Sequence, residues 1–245
     1  MESVIAIIKF IPRLIGLALR IIPYKLTKKN YDAKTNRERA YDIARNHAKD
    51  ILRITRTNIE VIGEDNLPEG MPKVFMGNHQ SYFDVLVEIA AIRERIVYIA
   101  KKELEKWPVY SFWMREMGCL FLDRQDPRAA VKLFNEAVEM MQNDGLSVVI
   151  YPEGTRSKSK EIAEYQKGSF KLAEKSGCPI VPTVIQGAYK VLEEENRIKM
   201  NETVYVSYLP AIDLSTLSKE EQKVIHHTLR AEMQTEVDRI HALKE

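Results

Sequence analysis

At 245 residues and 45% apolar content, the chain is long enough to bury one substantial core and too apolar for general disorder. Its net charge is only +2, so no global basic field is present and nucleic acid is excluded as the expected partner. The two cysteines, Cys119 and Cys178, lie in apolar surroundings with no CxxC pair and no His/Cys cluster at zinc spacing. The expectation is therefore free core thiols, a reducing compartment and no metal, with a disulfide between the two left open.

Residues 1–57 are expected to form an N-terminal two-helix membrane-association unit, and residues 58–245 an α/β body. In residues 1–26, Glu2, Lys9, Arg13, Gly16 and Arg20 share a narrow arc of one helix, and the remaining surface is apolar, including Val4, Ile5, Ile7, Ile8, Ile11, Ile15 and Ile22. The charges interrupt the run too often for a spanning helix, and they lie in the wrong place for a cleavable signal. The reading is an amphipathic helix in the membrane interface, its basic face toward anionic headgroups, with packing on the protein's own core as the alternative. Pro12 either kinks this helix or marks its true start. A second amphipathic helix is predicted from Thr35 to about Thr57, capped by Thr35, with His47 packed on its apolar face. Tyr24 and Tyr31 sit at the connection, where amphipathic rings suit an interface.

From Asn58 onward, strands and helices alternate. Strands are predicted at 58–63, 73–77, 96–101, 119–122, 146–151, 179–186 and 203–208. Pro182 is expected to put part of the sixth strand at an edge or strand end. Helices are predicted at 85–91, 102–117, 168–176 and 219–243, and one begins at Asp126-Pro127, where Asp126 caps and Pro127 takes the first position, running to Asn143 before Asp144-Gly145. The run Glu193-Glu194-Glu195 reads as a solvated turn or helix face. The fold class is α/β, a largely parallel sheet flanked by helices.

Ligands of such sheets bind outside the carboxyl ends of the strands. Gly77-Asn78-His79-Gln80-Ser81-Tyr82-Phe83-Asp84 lies at one such end. A histidine followed by a carboxylate five residues on is a candidate general-base pair, while Ser81-x-x-Asp84 also reads as a helix capping box. Arg124 leaves another strand end and either clamps phosphate or pairs with Asp123 or Asp126. Tyr151-Pro152-Glu153-Gly154-Thr155-Arg156 follows a third: Gly154 permits close backbone approach, Arg156 suits phosphate, and Glu153 orients an arginine or the loop backbone, with a plain turn as the alternative. Val181-Pro182 either stiffens a cleft wall or is structural. Convergence of these groups would suit transfer to a hydroxyl of a phosphate-bearing molecule.

Asn78-His79-x4-Asp84, Gly118-x2-Phe121-Leu122-x-Arg124, Tyr151-Pro152-Glu153-Gly154-Thr155-Arg156 and Val181-Pro182 resemble, in order, the four blocks of the glycerolipid acyltransferases, most closely the bacterial 1-acylglycerol-3-phosphate acyltransferases. Lys102-Glu103-Leu104-x3-Pro108 resembles a further segment, and Tyr151 stands where phenylalanine is commoner. The resemblance covers roughly residues 60–210. It implies an acyl-CoA or acyl-carrier-protein thioester as co-substrate, no cofactor, and lysophosphatidic acid as acceptor for phosphatidic acid synthesis. It implies His79 as the base with Asp84 as its partner. Arg124 and Arg156 would bind phosphate, Glu153, Gly154 and Thr155 would shape the acceptor site, and Lys102 would add charge. Direct attack without an acyl-enzyme is expected, with Ser81 as the covalent rival. Attachment to the bilayer at the cytoplasmic face of the cell membrane agrees with the reading of residues 1–26. A glycerol-3-phosphate or other lysolipid acyltransferase is the nearer alternative, and a non-catalytic lipid-binding protein the more distant one.

Overall fold

A computed structural model describes residues 2–195 and 197–243; the expectations for the side chains of Glu2, Val4, Ile5 and Ile7 fall outside the described residues. Seven strands form one sheet in the order β1-β7-β6-β2-β5-β3-β4. They are β1 (Asn58–Ile62), β2 (Val74–Gly77), β3 (Ile96–Lys101), β4 (Leu120–Leu122), β5 (Ser147–Ile150), β6 (Ile180–Gln186) and β7 (Thr203–Tyr208). Every pairing is parallel except β6–β7, so β7 and β1 run against the other five.

Alternation along the central strands builds two cores. Phe75, Val149, Val181 and Ile185 face one side, where α3 (Ala33–Thr55), α4 (Phe83–Ala91) and α5 (Pro108–Met117) pack. Val74, Met76, Val148, Ile150, Ile180 and Val184 face the other side, against α6 (Pro127–Asp144), α7 (Lys171–Ser176) and α9 (Lys219–Ala242). A short helix, α8 (Ala188–Leu192), lies between β6 and β7 in the chain. The α6 N-terminus forms as expected: Asp126 accepts from the Arg128 and Ala129 backbone N–H groups, and Pro127 opens the helix.

Pro182 is not at a sheet edge. It sits mid-strand opposite Met76 of β2. Its carbonyl accepts from the Leu209 N–H on the β7 side, so its missing donor faces that side too, just before the β6–β7 ladder begins at Thr183. No donor is needed there.

The N-terminal segment is helical through Pro12 as α1 (Glu2–Leu19), then continues after a turn at Arg20 as α2 (Ile21–Lys28). Leu17 and Tyr24 are buried in the first core, and the Trp113 indole N–H donates to the Leu17 carbonyl. Tyr24, expected at an interface, instead donates to Asn36 O and Glu116 Oε2 inside the protein. The cap of α3 is Asp32 rather than Thr35; its carboxylate accepts from the Thr35 N–H at 2.7 Å. His47 is packed as expected, and burial lowers its pKa.

Opposite the buried face of α1–α2, Ile8, Ile11, Ile15, Leu19, Ile22 and Leu26 are each at least half exposed. Their spacing places them on one stripe with Lys25 at its border, whereas Lys9, Arg13 and Arg20 lie round the helix toward the buried face, where Arg13 and Arg20 line a groove with Leu17, His47 and Asp50. Among the described residues no helix is long and apolar enough to cross a membrane.

Candidate active site

The site lies at the carboxyl ends of β2, β5, β3 and β4. Past Gly77 side chains fasten the chain to the end of β6. Asn78 brackets Ile185, donating to its carbonyl at 2.9 Å and accepting from its N–H at 2.7 Å. Gln80 donates to Gln186 Oε1 and accepts from the Gly187 N–H. Between these two anchors, His79 is held through its backbone. Its N–H donates to Glu153 Oε1 at 2.6 Å, and its carbonyl accepts from the Ser157 N–H at 2.8 Å.

The His79 ring meets Asp84 at 2.7 Å, Nδ1 to Oδ2. Asp84 is fully buried in the first turn of α4, and Oδ2 also accepts from the Gln80 and Ser81 N–H groups. An acceptor set of this kind assigns Nδ1 as a donor and the neutral ring's lone pair to Nε2. Nε2 has no hydrogen-bond partner among the described residues, and His79 lines a cleft of about 340 Å³. Ser81 does serve the helix start, but one position early: its hydroxyl accepts from the Phe83 N–H, while the Asp84 carboxylate returns to the Ser81 N–H. Capping and the His–Asp contact therefore coexist, because one carboxylate oxygen serves both.

Glu153 is buried behind the histidine. Its two oxygens accept from His79 N and Ala163 N, so it orders loop backbone and touches neither arginine. Burial raises its carboxyl to about 7, against the pull of those two N–H donors. α9 secures the same loop: Arg230 donates to the Ile162 and Ala163 carbonyls, and Gln234 accepts from the Ile162 N–H.

The two arginines reach the cleft from different elements. Arg124 donates to the Gly154 carbonyl, and its guanidinium lies 2.8 Å from where a Cβ on residue 154 would stand. With φ at +71°, that position favours glycine on both counts. Arg156 stacks over the Tyr82 ring at 3.5 Å and donates to Glu193 Oε1 at 2.8 Å. Thr155 completes this wall. Glu193 was expected in a solvated acidic run. Its side chain is instead buried, accepts from the Tyr82 N–H as well, and faces inward, where it neutralises Arg156.

Lys102 points away from the histidine cleft into a neighbouring depression that Arg124 shares, and it pairs with Asp123 at 2.9 Å. Val181 and Pro182 do not line the cleft; both are buried within β6, and the pleat turns Val181 into the first core. The cleft's other wall is apolar, with Val85, Ile99, Leu104, Trp107 and Met114. Among the described residues no group of three His, Cys, Asp or Glu side chains gathers to hold a metal ion. Both cysteines are free, and burial pushes the Cys119 thiol up to about 12.

Sequence reasoning missed Glu88, Tyr98, Tyr82 and Glu193. Glu88 had a readable signal: it is the one acid in the apolar run from Val85 to Ala91, four residues after Asp84. Glu193 had none, since its neighbours Glu194 and Glu195 carry the same charge and stay partly exposed.

Comparison with known proteins locates the matching region. A family model described as "Acyltransferase" matches residues 58–186. The "1-acyl-sn-glycerol-3-phosphate acyltransferase BAT2, chloroplastic" of Brassica napus is 34% identical over 134 residues, 54% of this chain and 38% of that protein. The chain thus spans less than half the length of that relative. A "1-acyl-sn-glycerol-3-phosphate acyltransferase" of Borreliella burgdorferi is 29% identical, covering 74% of this chain and 72% of that one. The crystal structure of the 1-acyl-sn-glycerophosphate (LPA) acyltransferase, PlsC, from Thermotoga maritima shares the fold. It superposes with a TM-score of 0.78 over 99% of this chain and 98% of that chain, at 22% identity.

Proposed function

The chain belongs to the acyltransferase family whose pattern spans residues 58–186, and from that membership we propose that it carries an acyl group from a thioester to the 2-hydroxyl of 1-acylglycerol-3-phosphate. The donor is acyl-CoA or an acyl-carrier-protein, and the product is phosphatidic acid. The observation that carries this reading is the 2.7 Å contact between His79 Nδ1 and Asp84, with Nε2 open to a cleft that also holds two guanidinium groups. The relatives' names supply the acceptor class.

His79 Nε2 takes the hydroxyl proton as that oxygen attacks the thioester carbonyl carbon. The C–O bond forms, the carbonyl electrons move to oxygen, and Asp84 stabilises the imidazolium. Collapse restores the carbonyl and breaks the C–S bond, and the departing thiolate takes the proton back from His79. General-base action of this kind gives about 10²- to 10⁴-fold. No acyl-enzyme is needed. The Ser81 hydroxyl is buried in the α4 turn, accepting from the Phe83 N–H, and the Cys119 thiol is buried outside the cleft.

Arg124 and Arg156 bind the acceptor's phosphate, with Thr155 and the Gly154 backbone beside it. Lys102 and Asp123 form the rim of the adjoining depression. The apolar wall suits an acyl chain. The exposed stripe of α1–α2 lies in the bilayer with Lys25 at its border against anionic headgroups, which attaches the protein peripherally to the cytoplasmic face of the cell membrane.

The test is thiol release from a panel of acyl donors with lysophosphatidic acid in detergent. We expect kcat of His79→Ala to fall at least ~10²-fold; a folded His79→Ala with near-normal turnover rules the mechanism out. Glycerol-3-phosphate in place of the lysolipid tests the acceptor, since equal turnover would move the assignment to that class.

A further inference from the structure

The face of the His79 ring is occupied. It lies on the Tyr151 ring with centroids 4.1 Å apart and planes 5° from parallel. The Tyr151 hydroxyl donates to Glu88 Oε2 at 2.5 Å, and the Tyr98 hydroxyl reaches the same oxygen at 3.3 Å. Glu88 stands on α4 one turn beyond Asp84, and both are fully buried. The helix therefore presents one carboxyl to the edge of the imidazole and a second, through a tyrosine, to its face.

Nothing in the packing alone accounts for an acid at position 88. Its Oε1 is buried with no hydrogen-bond partner among the described residues. Burial raises its carboxyl to about 8, so near neutral pH it keeps its proton. A leucine would fill such a site without that cost of desolvation. β2 also makes room for the pair: a Cβ at Gly77 would stand 3.1 Å from both Glu88 Oε1 and Tyr151 Cε1.

We propose that Glu88 and Tyr151 are positioning residues for His79. Glu88 fixes the Tyr151 hydroxyl, and the Tyr151 ring holds the imidazole in the plane that joins Nδ1 to Asp84 and turns Nε2 to the cleft. As the imidazole gains its proton, the electron-rich tyrosine face favours the cation it becomes. This inference rests on the reading of His79 as the base, but the contact itself exists whether or not acyl transfer occurs.

Two readouts test it on the full chain in detergent. The first is the upfield displacement that the Tyr151 ring current imposes on the His79 ring protons, assigned among the five histidines by His79→Ala; Tyr151→Leu sets the displacement to zero. The second is steady-state acyl transfer. Glu88→Leu is expected to remove at least half of the displacement and to lower kcat at least fivefold, with both KM values within twofold of wild type. Glu88→Gln keeps an acceptor for the hydroxyl and is expected to return kcat to within twofold. In a Tyr151→Phe background, Glu88→Leu is expected to cost no more than a further twofold, because the hydroxyl through which it acts is gone. Wild-type displacement and kcat in both Glu88→Leu and Tyr151→Phe overturn the inference, as does a full additional loss in the double variant. Should Glu88→Leu fail to fold, Tyr151→Phe alone decides by the same two readouts. A wild type that transfers no acyl group, yet whose ring displacement responds as described, sinks the functional reading and leaves the positioning inference standing.

Discussion

Arg156 serves the fold and the proposed acceptor at once, and substitutions can separate the two. Its guanidinium neutralises Glu193, which is almost wholly buried, while its stacked face remains in the cleft beside Thr155. Arg156→Ala leaves an uncompensated buried carboxylate, which costs about 3 kcal/mol, the low end for broken buried pairs because the arginine is partly exposed. It also removes a charged donor worth ~1.5–3 kcal/mol, so the KM for the acceptor should rise about tenfold or more. Arg156→Ala/Glu193→Gln should recover most of the lost stability and none of the KM. Denaturant unfolding and acceptor titration measure the two separately; joint recovery would mean that Arg156 does not touch the acceptor. At this scale the sequence was only half informative. Asn78, His79, Asp84, Gly154 and Arg156 follow strand ends that periodicity locates, so their convergence could be expected. Glu193 and Glu88 come to the site through burial of helix faces, which no spacing rule announces. Lys102 took its expected role from the resemblance of its segment alone, and its side chain turns to Asp123.

At the scale of elements, the apolar stripe of α1–α2 makes the clearest demand. Ile15 and Ile22 are 54% and 62% exposed, so their side chains add little to the folded core. Full burial of each in an apolar phase is worth about 1.5–3 kcal/mol. Ile15→Glu/Ile22→Glu should therefore weaken association with anionic vesicles at least tenfold in co-sedimentation, and leave the thermal midpoint within a few degrees of wild type. Undiminished binding would show that the stripe is not the attachment surface. The elements themselves were readable wherever local chemistry and tertiary packing agree. β3 and β7 have the expected bounds, and α6 starts at its Asp-Pro signal. They diverge where packing wins. Pro182 is central because its carbonyl, and not a donor, is what the β7 side requires. The basic arc of the first helix lies beside the buried face and away from the exposed stripe, because Leu17 and Tyr24 turn the neighbouring face to the core, and Arg13 and Arg20 line a groove with His47 and Asp50.

For the molecule as a whole, two buried acids set a stability slope. Burial raises Glu88 to about 8 and Glu153 to about 7, whereas both would titrate near 4.5 in an unfolded chain. Between those values the folded state binds the extra protons, so stability must fall as pH rises, by up to about 1.4 kcal/mol per unit per group. Their favourable contribution is complete below about pH 4.5 and is lost through pH 7 and 8. Unfolding free energy from denaturant titrations should accordingly be a few kcal/mol lower at pH 9 than at pH 6, and Glu88→Gln should flatten the upper part of that slope. A wild-type profile that is flat between pH 6 and 9 would mean that neither acid retains its proton.

The sheet order has a consequence for synthesis. β1 is among the first parts of the body to leave the ribosome, yet its lateral partner is β7, which begins at Thr203. At 5–20 residues per second, the interval between them is on the order of ten seconds. Throughout it the first strand has an open edge, and over its last part, once β6 (Ile180–Gln186) has emerged, the β6 flank is bare as well. Whatever shelters these edges in the cell has to act on a nascent chain in which β2, β3, β4 and β5 are already made but the strand that joins β1 to the rest of the sheet is not.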